Sequence, residues 1–467
     1  MGFILTILYV FLTIISPDQF GPEWANYHVL TILGGVIAIA SIPNVIIYGR
    51  LRSSLQTLLL VGFILAIGLS RIANGWYGGA IQSWLVFLPG AAVFFFIVAN
   101  VTTIRRLEIM TWTVSAACLF VVVEGLCAYY GGFHSNTFVL QRGLFDYDEF
   151  VGQFSQLRGA GYLNDPNDFA QMLLITLPLL FFAWRRNDRR FNFKWVILPV
   201  ALLLWAIYLT HSRGALIGLA VIALIEIRKR VPISVSVALV AFFVAALLAL
   251  NFSAGRGISI AQGIDRLDLW SEGLQLFKRA PWFGIGFGAF RDFSDITAHN
   301  SLVLCLAELG VAGSVLWVAL LVTTTMGLNS MLKIKSQDMP ARPIEARSPA
   351  ARMMLIRQQN RGRNKIKTGS LAARAIKAEA ISRVPEQWVS AMRLSFISFM
   401  TTSWFLSRTY SPTMYLILGL ATATLALQKP IVEKLKVRRW VFVTLTTEAL
   451  AIALIYGIVR LRWAIPI

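Results

Sequence analysis

Three observations predict an all-α, polytopic integral membrane protein with 12 or 13 transmembrane helices. Hydrophobic residues make up 57% of the 467-residue chain and charged residues only 14%, a balance foreign to ordinary water-soluble domains. The apolar residues run continuously for about 20 positions at a time, which suits spanning helices and not the alternating strands of a barrel. Basic residues collect in every second connection between these runs, as they do on the inner side of membrane proteins.

Taken in order, the apolar runs cover residues 3–16, 28–48, 55–70, 79–99, 110–130, 166–183, 193–210, 213–227, 233–252, 300–327, 389–406, 411–427 and 441–459. The first has neither a basic leader nor a small-residue cleavage site, so it reads as a span and not as a removable signal. A thirteenth span leaves Arg460 and Arg462 outside, against the charge rule, which keeps a count of twelve open. The chain then divides into N-terminal transmembrane helices (1–130), a first outer loop (131–165) and central helices with an SRG hairpin (166–252). A long outer loop (253–298), a late span opened by a histidine (299–327), a basic inner loop (328–388) and C-terminal helices (389–467) follow. Cys118, Cys127 and Cys305 lie inside apolar runs without metal-ligand spacing and read as small core residues.

The net charge of +20 would suit nucleic acid if it were spread evenly, but it is not. The connections placed inside carry Arg50 and Arg52, Arg105 and Arg106, Arg185 to Lys194, Arg228 to Arg230, and Lys429 to Arg439, while the alternate connections sum to about −2. This orients the N-terminus inward. The loop 328–388 holds 13 Lys and Arg against 4 Asp and Glu and lacks aromatic interleaving, so an anionic membrane surface is its expected partner and nucleic acid is not.

Two outer loops and one outer turn hold most of the remaining polar chemistry. In the first loop, Asn164-Asp165-Pro166-Asn167 reads as a turn that starts a helix, and Arg158 among glycines is placed to meet an anion or to pair with Asp165. Asp146 and Asp148 form an acidic pair that reads as a metal ligand pair or as a solvated turn. In the second loop, Leu267, Leu269, Trp270, Leu274 and Phe277 mark an amphipathic helix over 265–278 lying on the outer membrane face, with Arg266 four residues from Trp270. Gly284, Gly286 and Gly288 suit a tight irregular segment; without a P-loop lysine or a Rossmann context they do not mark a nucleotide site.

The outer turn is THSRGALIGL, residues 210–219. Ser212 is placed to cap the following helix, Arg213 lies in its first turn, and Gly214 removes bulk beside the exposed amides, a combination that suits an anion or a lipid headgroup. Next, His299 opens the run AHNSLVLCLAELGVAGSVLW, residues 298–317, where a polar loop meets an apolar helix. It reads either as a proton acceptor at neutral pH or as an interfacial cap. Glu124, an ionisable residue inside a span, is a further functional candidate. Asn300 is placed to cap the helix or to serve a substrate, whereas Glu308 lies about half a helical rotation away from His299.

The segments SRGALIGL, RLDLWSEGLQLFKRAPWFGIGFGAF and HNSLVLCLAELGVAGSVLW, with the earlier RGAGYLNDPNDFA, resemble the O-antigen ligase superfamily over residues 155–320. That superfamily comprises O-antigen ligases, O-antigen polymerases and protein O-oligosaccharyltransferases. Its histidine followed eleven residues on by glycine is met by His299 and Gly310, and its arginines fall on Arg213 and Arg266. Ile217 stands where the arginine motif carries leucine.

The resemblance implies a membrane glycosyltransferase that moves a glycan from an undecaprenyl diphosphate-linked donor to an acceptor hydroxyl at the periplasmic face of a bacterial inner membrane. It implies His299 as catalytic base and Arg213 with Arg266 on the donor diphosphate. Arg158, Asn300, Trp270 and Glu124 are supporting candidates; neither a metal nor another cofactor is expected, and the anomeric centre is expected to invert. The acceptor reads as lipid A core, a growing glycan or a protein, so polymerase and protein-glycosylating activities stand beside ligase. The chain ends within a few residues of its last span, so the outer C-terminal domain of some protein-modifying relatives is not expected. A lipid-linked glycan flippase or exporter is the non-enzyme alternative, disfavoured because no internal repeat is visible and the polar residues cluster at one face.

Overall fold

The computed structural model describes residues 1–19, 29–49, 51, 54–146, 149–249, 260–333, 384–428 and 437–464. Asp148 and residues 334–383 of the basic inner loop lie outside them. The long helices are α1 Gly2–Ile15, α2 Val29–Tyr48, α3 Leu55–Ala73, α4 Tyr77–Asn100, α5 Ile104–Gly131, α6 Pro166–Leu180, α7 Leu198–Thr210 and α8 Arg213–Ile227. They continue as α9 Ile233–Ala249, α10 Ile260–Arg279, α11 Ser301–Lys333, α12 Glu386–Ser403, α13 Pro412–Leu427 and α14 Val437–Ala464. Among the described residues, eight helices, counting short extensions of α6 and α7, are long and apolar enough to cross a membrane. The protein is an all-α multi-pass membrane protein.

Local chemistry sets the helix starts. Ser54, Thr103, Asp165, Ser212 and Ser411 each accept a backbone N–H with the side-chain oxygen, and Pro166 and Pro412 occupy the first turn, where their missing N–H costs nothing. The helices then sort by burial. The span containing α6 is 83% buried and α11 is 78% buried, so these two form the centre, whereas α2 at 11% and α14 at 17% are peripheral. α11 packs on α3, α10, α12, α13 and α14, and α6 on α5, α7, α8 and α12.

Small residues and interhelical hydrogen bonds hold the bundle, as expected where lipid removes the hydrophobic drive between helices. A Cβ at Gly218 of α8 would lie 2.2 Å from Leu174 of α6. Gln171 of α6 donates to Thr402 of α12 at 2.7 Å. Asn100 at the end of α4 donates to Thr6 of α1 and Ser41 of α2, and accepts from Asn44 at 2.8 Å.

Two elements differ from expectation. The first outer loop contains an antiparallel hairpin, β1 Val139–Asp146 with β2 Glu149–Leu157, in which Val139 pairs with Leu157. Its fixed point is Gln156, which donates to the last carbonyl of α7, Thr210 O, at 2.8 Å. The amphipathic helix is longer than 265–278, and its stripe packs inward: Leu269, Trp270 and Leu274 are buried, and Leu267 and Phe277 are partly buried against the same core. α10 lies on α11 and α14, so its apolar partner is protein.

Candidate active site at the mouth of α11

The start of α11 is clamped from both sides. Asn300 Oδ1 accepts the N–H groups of Leu302 at 2.9 Å and Val303 at 3.0 Å, and its Nδ2 donates to Trp404 O at 3.0 Å. Ser301 Oγ donates to Leu406 O at 2.6 Å and accepts from Arg408 N at 2.9 Å, while Thr409 Oγ1 donates to Ser301 O at 2.7 Å. His299 precedes this clamp with φ 48°, a left-handed conformation that costs a non-glycine residue about 1 kcal/mol or more and persists where its surroundings over-determine it.

Charged groups from four other places in the chain, Arg142, Asp165, Arg266 and Arg408, reach the imidazole electrostatically, and Arg213 reaches Arg266. Arg213 opens α8, whose cap Ser212 accepts from Ala215 N and donates to Asn167 Oδ1 at 2.8 Å. Asn167 in turn donates to Asp165 Oδ1 through its N–H at 2.8 Å and its Nδ2 at 3.0 Å. Asp165 faces Arg142 of the hairpin at 3.9 Å. Arg408, from the turn between α12 and α13, is ion-paired with Asp168 in the first turn of α6. α10 delivers Arg266 and, one turn on, Trp270, whose ring meets Trp404 edge-on at 6.3 Å.

The charges are mostly positive and felt mutually. Burial, then the Arg266 guanidinium, hold the His299 imidazole below its ordinary 6.5; Arg408 and Arg142 add to this and Asp165 opposes it. Burial and the nearby Arg213 likewise hold Arg266 below the usual guanidinium range. These effects favour the neutral imidazole, which gains its proton as pH falls through the lowered pKa. Arg266→Gln removes the largest of the opposing charges, so the imidazole should titrate at higher pH in that variant. Histidine NMR across pH 5 to 8 measures this; an unmoved or lower midpoint would contradict the geometry.

A break in α11 shapes the space beneath. Gly310 has φ 62° and ψ −162° inside the helix, and the Pro281–Gly286 segment docks against the freed backbone. Val311 N donates to Pro281 O at 2.8 Å, Ala312 N to Trp282 O at 3.1 Å, Ile285 N to Ala307 O at 2.9 Å and Gly286 N to Glu308 O at 3.0 Å. Gly284, Gly286 and Gly288 all have positive φ, as the tight segment requires. Irregular backbone at membrane depth is tolerated only where protein buries it or a cavity adjoins it.

Of the residues singled out in the sequence, His299, Arg213, Arg266, Asn300 and Trp270 come together. Arg158 instead donates to the carbonyls of Thr137 at 2.9 Å and Asn136 at 2.6 Å, steadying the entry to the hairpin. Asp165 pairs with Arg142 and not with Arg158. Glu124 lies 3.9 Å from His134 near the end of α5. Arg142 and Arg408 were missed, although each is an arginine in an outer connection, the same anomaly that marks Arg213.

Residues 198–318 match the family model described as O-antigen ligase. Over that segment the chain is similar to O-antigen ligases. The segment runs from α7 into α11 and contains Arg213, Arg266, His299 and Gly310, while Arg142, Asp165 and Arg408 reach the site from the flanking segments. The match supports a kinship, over those residues, with membrane glycosyltransferases of the O-antigen ligase and polymerase type. No curated protein matches the sequence.

Proposed function

We propose that the protein transfers a glycan from an undecaprenyl diphosphate-linked donor to an acceptor hydroxyl, in the manner of an O-antigen ligase, at the periplasmic face of a bacterial inner membrane. The observation that carries this reading is the pair Arg213 and Arg266, two guanidiniums within electrostatic reach of each other, the second of which also acts on the His299 imidazole. A diphosphate relieves their repulsion and accepts bidentate hydrogen bonds from both. The acceptor oxygen attacks the anomeric carbon, its proton passes to His299, and the bond to the diphosphate breaks with the electron pair leaving on phosphate oxygen. The arginines supply preorganised charge for that leaving group, so the step needs no divalent ion. Attack opposite the leaving group inverts the anomeric centre.

The first isoprene units of such a donor's tail have a place to lie. A groove of about 370 Å³ begins at Asn300 and Trp404 and runs between α11, α12 and α14, lined by Trp317, Leu321, Met400 and Val443 among others. The charge asymmetry of the connections supports the outward placement of this mouth. Arg213→Ala should weaken binding of undecaprenyl diphosphate by about 10- to 100-fold, the worth of one or two charge-assisted hydrogen bonds. Titration of the lipid into protein in nanodiscs measures it, and unchanged affinity would remove Arg213 from the donor site.

A further inference from the structure

A second cavity, of about 300 Å³, opens beside the site and is lined by Tyr162, Phe290, Glu308, Ser407, Arg408 and Tyr410, among others. It shares no lining residue with the apolar groove. The two lie on different faces of α11: Leu302 and Trp317 face the groove, Leu304 and Glu308 the cavity. Asn300 lines the groove and Thr297 the cavity, one on either side of His299 in the chain.

Glu308 lies about 10 Å along α11 from Ser301 and is 2% exposed. One oxygen, Oε1, accepts Phe290 N at 3.2 Å, so the carboxyl helps to hold the docked segment. The other, Oε2, stands beside the Tyr410 hydroxyl and the Gly288 amide, and Ser407 Oγ has no hydrogen-bond partner among the described residues. Arg408 uses Nε on Asp168. Buried polar groups are nearly always paired, and here an orphan hydroxyl and a buried carboxyl–phenol pair line one cavity.

We infer that this cavity is the acceptor subsite and holds one hexose ring of an acceptor glycan, an inference that rests on the transfer reading above. Sugar hydroxyls donate to Glu308 Oε2 and exchange hydrogen bonds with Ser407 and Tyr410, while the guanidinium of Arg408 donates to sugar oxygens. The rings of Tyr162, Phe290 and Tyr410 cover the C–H face of the sugar. The volume is at the small end for ligand pockets, which suits a single ring and not a lipid or a folded peptide. Arg408 also acts on His299 electrostatically, so the subsite adjoins the base. Donor lipid and acceptor sugar thus reach the imidazole from different faces of one helix.

The test is saturation-transfer NMR on the purified full-length chain with the methyl glycosides of glucose, galactose and N-acetylglucosamine as probes. At least one glycoside should receive saturation, in the presence of undecaprenyl diphosphate as well as without it. The signal should fall at least fivefold in Glu308→Gln and in Ser407→Ala, and persist in Arg213→Ala. Unchanged binding of undecaprenyl diphosphate by the two cavity variants shows that they are folded. No saturation of any probe in the wild type, or a signal indifferent to both cavity variants, overturns the subsite. Glycoside binding that follows the cavity variants, in a protein that transfers no glycan, keeps the subsite and removes the transferase reading; transfer with no cavity dependence does the reverse.

Discussion

Replacing His299 by alanine should lower turnover by about 10²- to 10⁴-fold, the usual contribution of a general base, and leave donor affinity within about twofold. The split follows from the geometry. In the proposed site the diphosphate would be held by guanidiniums from α8 and α10, and the imidazole sits outside both helices, ahead of the Asn300 cap. The same variant should lose the acid limb of the pH profile. Because burial and Arg266 depress the His299 pKa in the donor-free protein, wild-type kcat/KM for donor should stay high at pH 7 and fall only as pH drops through a value below 6.5. Steady-state kinetics over a range of donor concentrations across that pH range measures both effects, and a variant retaining wild-type turnover would remove the base assignment.

Gly310→Ala should be nearly as damaging for a different reason. A Cβ there would lie 2.5 Å from Trp282 C, 2.6 Å from Trp282 O and 2.7 Å from Gly284 N, all backbone atoms that cannot rotate aside. The residue would also have to hold φ 62°, a strain of about 1 to 3 kcal/mol. Relief requires undocking Pro281–Gly286, with the loss of four backbone hydrogen bonds worth about 1 kcal/mol each. A fall in melting temperature of about 5 °C or more and loss of transfer are expected in detergent. Gly457→Ala, with nothing within 4 Å of its Cβ, serves as the control, and a Gly310→Ala protein that melts with it would contradict the docked break.

Hydropathy made the helices legible, because a spanning helix needs only a long apolar run, and the run 300–327 is indeed α11. The break at Gly310 is invisible to the same reading, since a hydropathy average does not register one glycine in an apolar stretch. The stripe Leu267, Trp270, Leu274 and Phe277 revealed α10, but periodicity cannot say whether its apolar partner is lipid or protein. The position of the hairpin depends on Gln156 meeting the end of α7, a contact 54 residues away.

At the site, Arg213, Arg266 and His299 were legible as residue types standing out at span ends. Arg142 and Arg408 were not, because what distinguishes them is pairing with Asp165 and Asp168 through tertiary structure. Arg158 shows the converse: its sequence neighbourhood pointed to Asp165, and the fold turned it instead onto the carbonyls ahead of the hairpin.

The most direct measurement reconstitutes the protein in lipid vesicles with EDTA and supplies an undecaprenyl diphosphate-linked oligosaccharide. Lipid A core, a second carrier-linked repeat and a peptide are offered separately as acceptors. The account predicts transfer of the oligosaccharide to a glycan acceptor with inversion at the anomeric carbon, and no transfer by His299→Ala. Intact carrier crossing the bilayer without transfer to any acceptor, or transfer undiminished by His299→Ala, would contradict it.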